Sequence, residues 1–114
     1  VWDLEYSQDA LSDFELIFDH LLAAYGDLGD TSDEAWARAA DRIRHLRSEI
    51  DRLVETPYIG TLRPDIHPAI RFLRRDKAVV WFLPVEERRT ITVAAIFFGS
   101  QDHIRHMLAR MLEK

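Results

Sequence analysis

The sequence predicts an α+β fold: an N-terminal strand, an antiparallel helical hairpin, an antiparallel sheet of three further strands and a C-terminal helix. Two observations carry this. Apolar residues recur every three or four positions through two long stretches in the first half, and β-branched and aromatic runs replace that period in the second half. Strands segregated from helices in this way place an antiparallel sheet against the helical hairpin.

The elements follow in order. Val1–Tyr6 alternates Trp2, Leu4 and Tyr6 with Asp3 and Glu5, the period of a half-buried strand. Ser7 is placed to cap a helix whose face is Ala10, Leu11, Phe14, Ile17, Phe18, Leu21, Leu22 and Tyr25, with Asp9 and Asp13 near its positive end. Gly26 supplies a left-handed stop. Thr31-Ser-Asp-Glu34 is a capping-box pattern. It opens a second helix with Trp36, Ala39, Ala40, Ile43, Leu46, Ile50, Leu53 and Val54 on its face, ended by Pro57. Arg47 falls on the edge of that face, where its stem can lie along apolar surface. The short loop between the two helices makes them antiparallel neighbours.

Thr56–Pro68 holds three prolines and Gly60 and reads as an irregular connection. Ile70–Arg74 is a short strand and Asp76-Lys77 a tight turn. Ala78–Val85 is apolar on both pleated faces, which marks a strand covered on both sides. Glu86–Arg89 is a hairpin loop and Thr90–Phe98 a further strand. Gly99-Ser100 breaks it and caps the last helix, with Ile104, Met107, Leu108, Met111 and Leu112 on its face. Ser32 and Ser100 are read as caps.

At 114 residues the chain fits a single domain, 1–114, with one sizeable core. Cysteine is absent, so disulfides, thiol chemistry and Cys-ligated metal are excluded and a reducing, cytoplasmic setting is expected. No apolar run approaches the roughly 20 residues of a membrane helix, and no secretory signal pattern is visible. The net charge of −5 divides unevenly. Residues 1–60 carry 14 Asp/Glu against 5 Arg, while residues 61–114 carry 6 Asp/Glu against 10 Lys/Arg. An acidic domain is a poor non-specific binder of nucleic acid, although a local basic patch in the second half remains available.

Candidate chemistry is sparse. His103 and His106, with Asp102, fall short of a metal ligand set, so no metal and no cofactor are expected. There is no Gly-rich phosphate loop and no nucleophile elbow. The basic residues carry more weight: Arg63, Arg71, Arg74, Arg75 and Lys77 beside the central strand, Arg88 and Arg89 in the hairpin, Arg105 and Arg110 on the last helix. Arginine forks suit phosphate or carboxylate. Cleavage of RNA would further require an acid and a base. His103 is the nominee for the acid, and Asp76 or Glu86 for the base. On the first helix, Leu16 and Ala23 lie opposite the main apolar stripe, where a partner segment could dock.

Five segments in fixed order carry a family resemblance: Leu4-Glu-Tyr-Ser-Gln-Asp-Ala-Leu-Ser-Asp-Phe14, Leu53-Val-Glu-Thr-Pro-Tyr-Ile-Gly60, Ile70-Arg-Phe-Leu73, Val79-Val-Trp-Phe82 and Ile96-Phe-Phe-Gly-Ser-Gln-Asp102. In these the chain resembles the RelE/ParE superfamily of toxins from bacterial type II toxin–antitoxin systems, over nearly its whole length. The resemblance implies a growth-inhibiting protein held inactive in a hetero-oligomer, wrapped by the C-terminal segment of a ParD-like antitoxin. RelE-like members cut mRNA on the ribosome; ParE-like members inhibit DNA gyrase. The acidic charge and the lack of a tyrosine in the final helix favour the ParE-like branch, a binding protein rather than an enzyme, while Gly99-Ser-Gln-Asp102 stands where tail arginines would be expected and departs from both branches. On that reading Arg71, Arg74, Arg75, His103 and Arg105 contact the target. Leu16, Ala23, Trp36 and the strand edge near Phe72 receive the antitoxin. The alternative is a ribosome-dependent mRNA endonuclease using Arg71 and His103.

Overall fold

A computed structural model describes residues 1–99 and 102–113. The order of elements is β1 (Asp3–Tyr6), α1 (Gln8–Asp27), α2 (Ser32–Asp51), β2 (Thr61–Leu62), β3 (Arg71–Arg75), β4 (Ala78–Val85), β5 (Thr90–Phe98) and α3 (His103–Leu112). The five strands form one sheet in the order β1-β5-β4-β3-β2. The α+β class holds, and the sheet is mixed. β2, β3, β4 and β5 are antiparallel neighbours, whereas β1 runs parallel to β5. The crossover through both helices carries the chain from β1 at one edge to β2 at the opposite edge, and the antiparallel run back through β3 and β4 brings β5 alongside β1 in the parallel direction.

Both faces of the sheet are covered. The α1–α2 hairpin buries Phe14, Ile17, Leu21, Leu46 and Ile50 against Leu73, Val80, Phe82, Ile91, Val93 and Ile96. On the opposite face α3 packs Met107, with Ile104 and Met111, against Ile70, Val79, Trp81 and Ala95. The alternation of β4 therefore sends Val80 and Phe82 to one layer and Val79 and Trp81 to the other. A bulge at Trp81/Phe82 pairs these residues with Ala95 and Val93, skipping Ala94. It shifts the phase of β5, so that Ile91 and Val93 face the hairpin before it and Ile96 after it.

Local signals explain most boundaries. The Ser7 hydroxyl accepts from the Ala10 amide, and the Thr31–Glu34 capping box is complete. Asp76 and Lys77 both adopt positive φ, as a tight hairpin demands. Arg47 lies over the rings of Tyr6 (4.9 Å) and Phe14 (5.5 Å).

Several expectations need correction. Thr31 is the cap of α2 and Ser32 its first residue. Ser100 lies outside the described residues. α1 continues through Gly26, and the left-handed conformation falls on Gly29 (φ 105°). α2 ends at Asp51 and passes into a 3-10 turn, Arg52–Glu55. Trp36 is not in the core: it is 58% exposed, with only its edge against Phe18. Leu108 and Leu112 also face outward, because a ten-residue helix on a sheet buries only a narrow stripe.

Gly60 is fixed by close approach. It has φ 88°, and a Cβ there would stand 2.5 Å from the Phe72 carbonyl oxygen. Gly60→Ala is expected to lower stability by at least about 2 kcal/mol in urea unfolding, since left-handed strain adds to a backbone clash.

Candidate target and antitoxin surfaces

Strand alternation decides where the basic residues point. Leu73 of β3 packs in the hairpin layer and Phe72 in the α3 layer. Arg71 and Arg75 accompany Leu73. The Arg71 guanidinium donates to the Tyr58 carbonyl at 2.7 Å and lies 5.6 Å from the Tyr58 ring. Tyr58 meets Trp2 edge-on, and its hydroxyl donates to Glu86. Arg75 borders a polar recess with Glu49, Arg52, Glu55 and Thr56. Arg74 lies on the opposite face, with Arg63 and His103. The five residues expected to contact a target therefore do not form one patch. Arg74 and His103 share the α3 side, Arg105 stands exposed on α3 itself, and Arg71 and Arg75 face the hairpin side.

His103, the first residue of α3, is 6% exposed. Its ring stacks on Phe72 at 4.8 Å and Trp81 at 5.5 Å between centroids. Burial, and then the positive charges of Arg74 and Arg63, hold its pKa below the ordinary 6.5. The imidazole is therefore neutral at pH 7, a poor state for a general acid. The two carboxylates nominated as bases lie elsewhere. Asp76 pairs with Arg42 of α2 at 3.4 Å, and Glu86 binds Tyr58 at the β4–β5 turn. Among the described residues no group of three or more His, Asp or Glu could hold a metal.

Arg110 has a structural partner. Its guanidinium grips both oxygens of Asp13 at 2.8 and 2.6 Å. Asp13 is 3% exposed and also accepts the Ile96 amide at 2.8 Å. The pairing raises the Arg110 pKa further above its already high value. Asp13 was legible only as an acid near the start of α1; nothing local marks it as buried.

The residues expected to receive an antitoxin are also dispersed. Leu16 is 64% exposed on the rim of a 480 Å³ groove between α1, the end of β5 and α3, which His20, Phe97, Phe98 and His106 also line. Ala23 is exposed two turns further along α1. Trp36 stands over the outer α1–α2 groove, beside Leu22. Phe72 lies on the far side of the sheet beneath His103, and its strand edge is occupied by Thr61 of β2.

No family model and no curated protein matches the chain. Solved structures do. A chain of the chromosomal ParDE toxin–antitoxin system from P. aeruginosa superposes with a TM-score of 0.64 at 19% identity, over 87% of this chain and 97% of that one. A mutant of the E. coli toxin RelE in the free state gives 0.62 at 10% identity, over 98% and 95%. The intact E. coli RelBE toxin–antitoxin complex gives 0.56 at 12%, over 89% and 100%. The chain has the fold of the ParE and RelE toxins. No helix of the described residues is long and apolar enough to cross a membrane.

Within this RelE/ParE fold the Asp13 cluster makes a sharp prediction. Asp13→Ala orphans the Ile96 amide and leaves a three-quarters-buried guanidinium unpaired, so stability should fall by about 3–5 kcal/mol in chemical denaturation. Asp13→Asn keeps an acceptor for Ile96 and should lose distinctly less.

Proposed function

We propose that this protein is the toxin of a type II toxin–antitoxin pair that acts by binding its target, DNA gyrase, and is neutralised by a ParD-like antitoxin. The observation that supports the toxin role is the fold shared with the ParDE chain and with RelE, which spans nearly all of each chain; the gyrase reading rests on the acidic charge of the chain. The neutral, buried state of His103 adds to it, because proton transfer to a leaving group needs a protonated, accessible acid. The target surface on this reading is the α3 side, with Arg74 and Arg105 as its exposed cations. Arg71 and Arg75 face away from it: Arg71 is engaged with Tyr58, and Arg75 borders the Glu49–Glu55 recess and donates to the Arg74 carbonyl. The antitoxin segment takes the exposed apolar positions of the hairpin, Leu16, Ala23 and Trp36, with Trp36 as the anchor.

Two measurements test this. The purified protein should inhibit DNA supercoiling by gyrase and leave ribosome-bound message intact, with inhibition reduced at least about tenfold in Arg74→Glu. Site-specific cleavage of ribosome-bound message, abolished by His103→Ala, would overturn the gyrase reading in favour of the endonuclease. Separately, Trp36→Ala should lower stability by no more than about 2 kcal/mol, because more than half of the residue is exposed, yet weaken capture of the protein encoded by the adjacent gene at least about tenfold.

A further inference from the structure

His103 is an unusual residue to find where it is. It begins α3, where the aligned helix amides present partial positive charge. Asp102, the residue before it, is left-handed and makes no side-chain cap to the helix. The imidazole is packed among rings: Phe72 from β3 and Trp81 from β4. Its Nδ1 is buried without a hydrogen-bond partner, and so is Nε1 of Trp81 in the ring 5.5 Å away.

The two unmatched atoms are of opposite kind only while His103 is neutral. The indole N–H is a donor, and a neutral imidazole protonated on Nε2 offers an acceptor at Nδ1. Adding a proton makes both atoms donors within one apolar cluster.

The surrounding charges oppose that proton as well. From β3 comes Arg74, and from the segment after β2 comes Arg63, whose guanidinium is held by Asp65 at 2.9 and 2.7 Å. β4 offers only the indole donor. On α3 itself the neighbouring titratable groups are Asp102, exposed before the helix, and His106, which stacks on Phe97 at 5.6 Å. Among the described residues no carboxylate accepts a hydrogen bond from the ring.

We propose that His103 is a proton-operated latch. Neutral, it pins the first turn of α3 to the sheet; protonated, it leaves the Phe72–Trp81 cluster, and the first turns of α3 lift away. The Asp13–Arg110 pair keeps the far end of the helix anchored. Release therefore uncovers Phe72 and Trp81, beside the already exposed Arg74, without unfolding the sheet. The latch is independent of the toxin reading, since it rests on α3 and the sheet alone.

The sign follows from linkage. A histidine harder to protonate in the closed state than in the open one favours opening as pH falls through about 6.5, the ordinary value it regains when released. The test is an NMR titration of the full chain between pH 7.5 and 4.5. The His103 Cε1–H resonance should titrate below the ordinary histidine value of 6.5. Over the same range, amide protection factors of residues 106–109 should fall roughly tenfold for each unit by which its titration is depressed, while those of Val79–Phe82 hold. In His103→Phe, which keeps a ring in the cluster, protection of α3 should no longer depend on pH. Titration of His103 at or above the ordinary histidine value would overturn the latch. So would α3 protection that is flat with pH in the native chain, or equally pH-dependent in His103→Phe.

Discussion

One carboxylate ties the layers of this molecule together. Asp13 projects from α1, receives the Ile96 amide of β5 and binds the Arg110 guanidinium of α3. The need for it arises in the sheet. β1 last pairs Tyr6 with Val93, and Ser7 takes the Val93 carbonyl with its amide and the Ala94 carbonyl with its hydroxyl. Beyond that point the outer edge of β5 has lost its neighbour, and a buried Ile96 amide without a partner would cost about 1–3 kcal/mol. Asp13 fills the gap and becomes a buried charge in doing so. Arg110 answers that charge from the other side of the sheet, its guanidinium 4.7 Å from the Phe97 ring. Each group is tolerable only because the other two are present.

Features that depend on neighbours in sequence were legible. The helix caps at Ser7 and Thr31, the Asp76-Lys77 turn, and the two-faced burial of β4 are consequences of residues within a few positions of one another. Features set by distant pairing were not. The parallel direction of β1 depends on where the helical crossover returns. β2 is two residues long, Thr61 and Leu62, and exists only through its pairing with Phe72 and Arg71. The bulge at Ala94 changes which residues of β5 face the hairpin, and an alternating run cannot reveal a skipped position in its own pairing. Trp36 fits the helical period of the α2 core stripe and still lies outside it. The hairpin packs along a seam already filled by Ala39, Leu46 and Ile50, which leaves the indole at the rim.

The same alternation governs the basic residues. Arg71, Arg74 and Arg75 are close in sequence, and a sequence reading groups them. On a pleated strand with a layer on each side they must separate, Arg74 to one face and Arg71 and Arg75 to the other. A polyanionic or carboxylate-bearing partner on the α3 side meets Arg74 and Arg105, with Arg63 already committed to Asp65. The charge available to it is modest.

That distribution bears on chemistry as well as on binding. Acid–base cleavage requires two titratable groups within hydrogen-bond reach of one reacting centre, each in the right protonation state. Here the sheet stands between the nominees. Asp76 is held by Arg42 on the hairpin side, Glu86 is bound to Tyr58 at the β4–β5 turn, and His103 is closed into an aromatic cluster beneath α3. Uncovering His103 would not bring either carboxylate to it, because both are fixed by partners on other elements. Opening of the α3 side, as proposed, would expose rings beside an arginine fork that is already accessible, groups that recognise a surface by stacking and charge. Stacking and charge are the interactions that the proposed binding role asks of this face.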